Sequence, residues 1–431
     1  MNITKPRPGE RVELESIDFT RTELFVDGDP HLAWKTLRDE APVYRHSLPD
    51  GSGYWSVTRL ESCCRVLADH TVFTSTRGAL LKMLGVEDPA GGRQMALSDP
   101  PRHTHLRRPL QQMLTSSAVE AHAPAIRARI ADLVAPLLEG APFDLGAAMC
   151  MLPMLVSGIV LGLPEATYPD LVHWGLMTVA PDDPEFADVG TPHDVLREAH
   201  RNLFAYFADE VAQRRGIPED ELASCDLIGR LMTMDVEGVR LGDGDVVSNC
   251  YSILLGANVN TGHVVTAAML ELAERQSTYA TWSRDPRRLQ LGIREALRWS
   301  SPVTHFLRYA RADVDLEGRR IGKGEPVVAW VASANRDEDV FDRPFELDLG
   351  RQPNRHIAFG AGPHTCIGTA AALLSLRCVF ELLVEAVEGW EVLGEPEHLQ
   401  SNFTAGIKRL PVVATPRGRA AREAVLAALT R

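Results

Sequence analysis

Phe359-Gly360-Ala361-Gly362-Pro363-His364-Thr365-Cys366-Ile367-Gly368 is the stretch that decides how this chain is read. One cysteine sits in a glycine-rich loop, seven residues after a phenylalanine. A run of small residues, Thr369-Ala370-Ala371-Ala372-Leu373-Leu374, follows and reads as the start of a helix. Glycines let a loop backbone approach a flat macrocycle closely. Loop amides can hydrogen-bond a sulfur and tune a metal bound to it. A helix that begins just after the cysteine puts its positive end near that sulfur and favours thiolate over thiol. This is the setting in which a thiolate ligates haem iron. The alternative, a buried cysteine in a glycine turn, does not call for so specific a pattern as F-G-x-G-x-x-x-C-x-G.

Around this loop lies a chain of 431 residues, 45% hydrophobic and 24% charged, which is ample for a large core. Length alone allows about two or three domains. No Pro/Gly/Ser tract, charge block or internal repeat marks a linker, however. The expected architecture is mainly α, a single large helical domain over residues 1–431 with small β-sheets, in which residues 1–20 form a poorly structured N-terminal extension. The net charge of −13 argues against nucleic acid as a partner. Seven irregularly spaced cysteines read as a reduced cytoplasmic chain with one functional thiol, and no C-x-x-C pair points to zinc. The polar N-terminus is neither signal peptide nor anchor. Residues 146–164 carry no charge, but Pro153 interrupts them, so they read as buried core and not as a membrane span.

Residues 71–97 are irregular and glycine-rich, long enough for a functional loop. Asp99-Pro100-Pro101 opens a helix, with proline early in its first turn. Residues 243–280 read as one long apolar helix, and residues 284–300 as another. Residues 304–332 alternate like strands, with turns at Glu317-Gly318 and Gly322-Lys323-Gly324. Helix returns after the cysteine loop.

Three further constellations surround the loop. Glu295-Ala296-Leu297-Arg298 places a carboxylate and a guanidinium at i and i+3, on one helix face. Such a pair, if buried, satisfies itself and can tether another segment. His103 and Arg107 stand at i and i+4 on the helix after Asp99-Pro100-Pro101, Arg308 begins a strand, and His356 precedes the cysteine loop. A buried dianionic cofactor needs donors of this kind. His105 and Arg108 fall on other faces and are expected in solvent. Ala257-Asn258-Val259-Asn260-Thr261 lies within the long apolar helix.

With these motifs in this order, the chain resembles the cytochrome P450 family, of the soluble bacterial type, over residues 23–415. The resemblance implies the P450 fold, haem b (iron protoporphyrin IX), O2 as co-substrate, and a small organic substrate oxidised in the tailoring of a secondary metabolite. It makes Cys366 the axial thiolate and metal ligand, with Phe359, Gly360 and Gly368 shaping its loop. His103, Arg107, Arg308 and His356 become propionate anchors, and Ala257 lies against the haem. Glu295 and Arg298 hold the fold. The family adds a third charged partner to them; where many relatives carry arginine this chain has Glu346, and Arg351 is the expected substitute. With no appended flavin or iron–sulfur domain, electrons are expected from a ferredoxin and a ferredoxin reductase. A basic patch of Arg102, Arg108, Arg355 and Arg377 would steer an acidic ferredoxin.

The main departure is in the central helix. The family's A/G-G-x-D/E-T reads Ala257-Asn258-Val259-Asn260-Thr261 here, so Asn258 replaces glycine and Asn260 replaces the acid. Thr261, Asn260 and Asn258 are the expected catalytic group, with the Thr261 hydroxyl bonding the iron-bound oxygen. Asparagine can hold a water but cannot ionise. Either waters and Thr261 relay protons and an oxygen atom is inserted, or the site favours oxidative C–N, C–C or C–S coupling, or nitration, without net oxygen insertion. A haem-binding protein with little turnover is the remaining class. A peroxide-driven enzyme is disfavoured, because the central helix lacks the arginine that such relatives use. By family position Leu80, Leu84, Met177, Val303, Thr304, Phe306 and Phe403 line the substrate side with Ala257, Asn258 and Thr261. The polar pair Asn258 and Thr304 would orient a substrate amide or hydroxyl.

Overall fold

The computed structural model describes residues 1, 3–7 and 9–418. The helices that position the site are, in chain order, α1 (Leu60–Ala68), α2 (Arg102–Met113), α3 (Ala123–Val134), α4 (Leu145–Leu161), α5 (Tyr168–Val179), α6 (Pro192–Arg214), α7 (Asp243–Asn258), α8 (Thr261–Ala273), α9 (Pro286–Ser300) and α10 (Thr369–Ala386). Helix α4 is apolar on nearly every side and buries Leu145, Met149, Leu152 and Val156, as a core helix must. Its uncharged run is therefore interior packing. Helix α8 lies against α4 and α9, and α10 against α3 and α9. The contact of α8 with α4 is backbone to backbone. A Cβ at Gly262 would stand 1.8 Å from the Met149 carbonyl oxygen, so only glycine fits there.

The main sheet has five strands, β1 (Val43–Ser47), β2 (Gly53–Val57), β3 (Phe73–Thr74), β4 (Phe306–Ala310) and β5 (Pro326–Ala329), in the order β1-β2-β5-β4-β3. Strand β5 runs parallel to β2, with Val327 opposite Trp55, and antiparallel to β4, with Val327 opposite Arg308. Alternation along β4 sends Leu307 and Tyr309 into one apolar cluster and leaves Phe306 and Arg308 on the other face.

Two sequence expectations are corrected here. Residues 1–20 are not a loose extension where described. Ile17 and Phe19 are buried, and the Phe19 ring lies 4.4 Å from Trp330 and 5.7 Å from Trp34. An aromatic residue of that size gains more by burial than the chain loses by ordering. Residues 243–280 are not one helix either. The ladder breaks at Val259 (φ −116, ψ 0) and Asn260 (φ −121, ψ −44), between α7 and α8, and again before Gln276–Trp282. Two asparagines flanking a β-branched residue have poor helix propensity and favour local turns. The run Asp243–Ala273 is long and apolar enough to cross a bilayer, yet more than half of its most apolar window is buried in protein.

Candidate active site

The cysteine loop is closed by its own backbone. The Cys366 N–H donates to the Phe359 carbonyl at 2.8 Å, and the Gly360 N–H to that of Ile357 at 2.8 Å. Gly360 and Gly362 sit at φ +75 and +70, in the left-handed region. A Cβ on Gly362 would lie 2.3 Å from the Ala68 Cα, so the loop is pressed onto the end of α1. Burial pushes the Cys366 thiol up, against the Gly368 N–H, the Thr369 hydroxyl and the Arg107 charge, which favour the thiolate. A cation on the sulfur would tip that balance to thiolate.

A cationic edge stands beside the loop. Arg107 on α2 donates from Nη2 to the Thr365 carbonyl at 2.6 Å. His103, one turn earlier, is 2% exposed, its Nε2 has no partner, and its ring is 4.2 Å from that of His364. Arg308 on β4 is 3% exposed, and among the described residues its side chain donates to the Leu307 carbonyl alone, at 2.8 Å. Burial lowers the Arg308 pKa to about 10. Among the described residues no carboxylate forms an ion pair with Arg107 or Arg308. Asp99, the acid that acts on Arg308, bonds Thr74 and Ser75 and pairs with Arg311. Buried cations with donors to spare fit an anionic group, and the carboxylates of haem are such a group.

His364 is not among the residues singled out by motif, yet it belongs to this edge. Its Nε2 is 3.0 Å from Ser75 Oγ, and burial, then Arg308, His103 and Arg107, hold its pKa near about 2. The available signal was its place two residues before Cys366. His356, expected at this edge, lies elsewhere. Its Nδ1 accepts from the Ala358 N–H at 3.3 Å, and the charges acting on it are Arg298, Arg294 and Glu295. The loop turns between the two histidines and carries them to different neighbours.

Glu295 and Arg298 form a two-pronged pair at 2.7 and 2.8 Å, both fully buried. Arg351 Nε reaches both Glu295 oxygens at 3.0 and 3.1 Å, and Asn354 Nδ2 donates to Oε2 at 3.0 Å. Arg298 also donates to the carbonyls of Asn335, Pro344 and Glu346, which ties α9 to the segment leading into the cysteine loop.

A second accessible strip lies on the broken helix. Gly256 is exposed and Ala257, Asn260 and Thr261 are part-exposed, while Leu254, Asn258 and Val259 are buried. Residues 366–372 are part-exposed as well. Both are accessible strips on elements otherwise sunk in the core, and a planar cofactor requires surfaces of that kind. Leu80, Leu84, Val303, Phe306 and Phe403 are also part-exposed, with the Phe306 and Phe403 rings 6.3 Å apart.

Three of the expected distal contacts are corrected. Asn258 is 2% exposed and donates from Nδ2 to the Leu171 carbonyl at 3.2 Å, so its side chain tethers α5. Thr304 is fully buried, its hydroxyl engaged by the Asn402 carbonyl and by His305 Nδ1. Met177 packs with Phe186, Val195 and Ala199 in a separate apolar cluster. The basic patch shrinks too, because Arg102 pairs with Glu237 and Arg377 with Glu120. Arg108 and Arg355 remain exposed, with no ion pair among the described residues.

A cysteine loop against a helix N-terminus, a cationic edge and an accessible hydroxyl-bearing helix define a haem-thiolate protein. Known proteins agree. The family model for cytochrome P450 matches residues 288–402, from α9 past the cysteine loop. The chain is 33% identical over 409 residues to putative cytochrome P450 126 of Mycobacterium tuberculosis, covering 93% of this chain and 97% of that one. It is 29% identical to the linalool 8-monooxygenase of Pseudomonas putida, covering 94% of this chain and 100% of the relative. The crystal structure of P450 OxyD, involved in the biosynthesis of vancomycin-type antibiotics, superposes with a TM-score of 0.81 at 31% identity, covering 93% of this chain and 100% of OxyD. The chain belongs to the cytochrome P450 family, oxidoreductases that carry protoporphyrin IX haem on a cysteine thiolate.

Proposed function

We propose that the protein is an O2-dependent monooxygenase that acts in the cytoplasm on a small organic substrate of secondary metabolism, with electrons from a ferredoxin recharged by a ferredoxin reductase. The observation that carries this reading is the part-exposed Thr261 at the start of α8, on the accessible strip of the helix wall. Support for the substrate class comes from OxyD and its antibiotic pathway, and from a relative named for linalool.

Bound haem supplies the iron on which O2 is reduced and split. Cys366 Sγ would ligate that iron, while Arg107, Arg308, His103 and His364 would hold the propionates. Thr261 Oγ1 is the hydroxyl placed to donate a proton on the distal side. Asn260 orients water there but supplies no proton of its own. Phe306, Phe403, Val303, Leu80 and Leu84 give an apolar surface that excludes water from the substrate. The Leu81 N–H donates to His305 Nε2 at 2.9 Å, and the Leu307 N–H to the Ala79 carbonyl at 2.8 Å, so the substrate loop is pinned to β4.

A second reading, oxidative coupling without oxygen insertion, is favoured by one feature, the amide at position 260. The reduced, CO-bound spectrum tests the class. A strongly red-shifted Soret band, lost in Cys366→Ala, is expected. A band at the ordinary position, or no haem, overturns the reading. Turnover of linalool under 18O2 with a ferredoxin and reductase separates the rest. A product labelled with 18O supports the monooxygenase, an unlabelled product supports coupling, and haem binding without product under any probe supports the protein of little turnover.

A further inference from the structure

Lys82 is a cation on the substrate loop, away from the edge that fits the haem carboxylates. It sits on the short 3-10 turn Leu81–Met83, close to Leu80 and Leu84 of the apolar substrate surface. Its Nζ donates to the Thr178 carbonyl in the last turn of α5. A helix C-terminus favours a cation there, but this bond uses one of the three ammonium N–H groups. Among the described residues no carboxylate forms an ion pair with Lys82. Asp182, the acid that acts on it, is exposed on the loop after α5. The Lys82 charge is also felt at His200 on α6.

The ammonium borders a cavity of about 70 Å³, whose lining includes Thr22, Leu81, Val179, Asp182 and Asn402. That is room for a small polar head group and far too little for a whole substrate. Donors prevail in it. Thr22 Oγ1 accepts from Gln400 Nε2 at 3.1 Å and keeps its own hydroxyl proton to give. Asn402 Nδ2 donates to the Phe19 carbonyl at 3.1 Å and has a second N–H. The residue is part-exposed, but protein surrounds its ammonium, and burial lowers the pKa to about 8, so it stays mostly charged at pH 7. The apolar side of the cavity continues toward the chamber. Val179 belongs to one cluster with Ala180, Val259 and Leu399, against which Phe403 packs, and Val259 lies two residues before Thr261.

We propose that Lys82 is the specificity-determining residue of the substrate side, and that it selects substrates with an apolar body and a carboxylate at one end. The inference rests on the monooxygenase reading of the site and names the class of its substrate. The carboxylate lies in the small cavity and accepts from Lys82 Nζ and the Thr22 hydroxyl. The apolar body passes Val179, Leu80, Leu84 and Phe403 toward Thr261, so the carbon that reacts is remote from the anion. A buried cation short of its counter-ion gains most from an anion that excludes water, whereas a neutral oxygen at the same place gains less. The exposed Asp182 carboxylate, shared with solvent, leaves that place open.

Binding tests this without turnover. Haem-loaded protein is titrated with decanoate and with 1-decanol, equal in chain length and different in charge, and the shift of the Soret band gives the affinity for each. The CO-bound spectrum and haem content check every variant. Lys82→Met should weaken decanoate about tenfold to a hundredfold, the range for a hydrogen bond to a charged group, and leave 1-decanol within about twofold. Lys82→Arg, which keeps the charge, should keep most of the affinity for decanoate. A Lys82→Met variant that weakens both probes alike shows that the residue only ties the loop to α5, and overturns the proposal. So does wild type with normal haem that does not respond to decanoate, or a Lys82→Met variant that binds it as well as wild type. Wild type that binds decanoate but oxidises no probe instead strikes the monooxygenase reading, and the ratio of the two affinities in wild type and Lys82→Met still decides whether Lys82 holds the anion.

Discussion

Glu295 on α9 and Asn260 at the break between α7 and α8 have surroundings that differ in kind. Glu295 accepts hydrogen bonds on both oxygens, from Arg298, Arg351, Asn354 and the Asp348 N–H. Asn260 Oδ1 and His263 Nδ1 are buried with no hydrogen-bond partner among the described residues. Both oxygens of the Glu295 carboxylate are engaged within the chain, so the position of this network is fixed before any ligand arrives. The helix break at Asn260 holds unsatisfied polar atoms, which costs stability in the resting protein and leaves groups for water and ligand to use. Placement of the metal ligand tolerates little slack, whereas proton traffic requires atoms not already committed.

The contrast breaks most visibly at Glu295. Glu295→Ala leaves Arg298 and Arg351 buried without their carboxylate and should cost about 3–5 kcal/mol. Thermal unfolding and haem retention measure it, and a loss below ~1 kcal/mol would mean the wall does not depend on this network. Next is Gly362→Ala, which forces a side chain into the left-handed region and against Ala68. We expect a loss of about 1–3 kcal/mol by denaturant unfolding, with faster haem loss; unchanged haem retention would show that the loop can shift freely.

Acid should test both walls together. Burial depresses the folded pKa of His103 to about 4, of His263 to about 4 and of His364 to about 2, below the ordinary 6.5. Between 6.5 and those values the unfolded chain binds more protons, so stability rises with pH and is lost as pH falls. Each such histidine contributes at most about 1.4 kcal/mol per pH unit in that window. Urea unfolding of the haem-free protein from pH 7 to pH 4 should show the decline, and a flat profile would contradict the burial of these rings. The smallest effect has the opposite sign. Asn260→Ala removes an unpaired buried acceptor and a poor helix former, and should raise stability by about 0.5 kcal/mol while lowering product formation. A destabilised variant would show that Asn260 is already satisfied.

The elements easiest to read from sequence were those with strong local signals. The cysteine loop, the E-x-x-R helix and the strands after it carry glycine, charge spacing and period-2 alternation that survive without context. His364 was harder because histidine in a loop has no periodicity, and only the fold brings His103 and Arg308 to it. Asn258 and Thr304 were misplaced because family position does not fix where a side chain bonds, and each found a nearer carbonyl, of Leu171 and of Asn402. The interruption of the central helix was written in Asn258-Val259-Asn260, but an apolar run on either side outweighs three weak helix formers in any window average.

The sheet that carries Arg308 has a consequence for how the chain is made. Trp55 on β2 pairs with Val327 on β5, Arg38 bonds Glu338, and Phe19 lies under Trp330. None of these contacts can form until roughly 300 further residues have been synthesised, which at ribosomal rates takes about 15–60 s. During that interval the N-terminal aromatics have each other but lack the cover of Trp330, and the edge of β2 that pairs with β5 stays open. The slow, aggregation-prone stage of this protein's life therefore falls before its last quarter is translated, and lower temperature or slower synthesis should change soluble yield through this long-range pairing more than through the haem site itself.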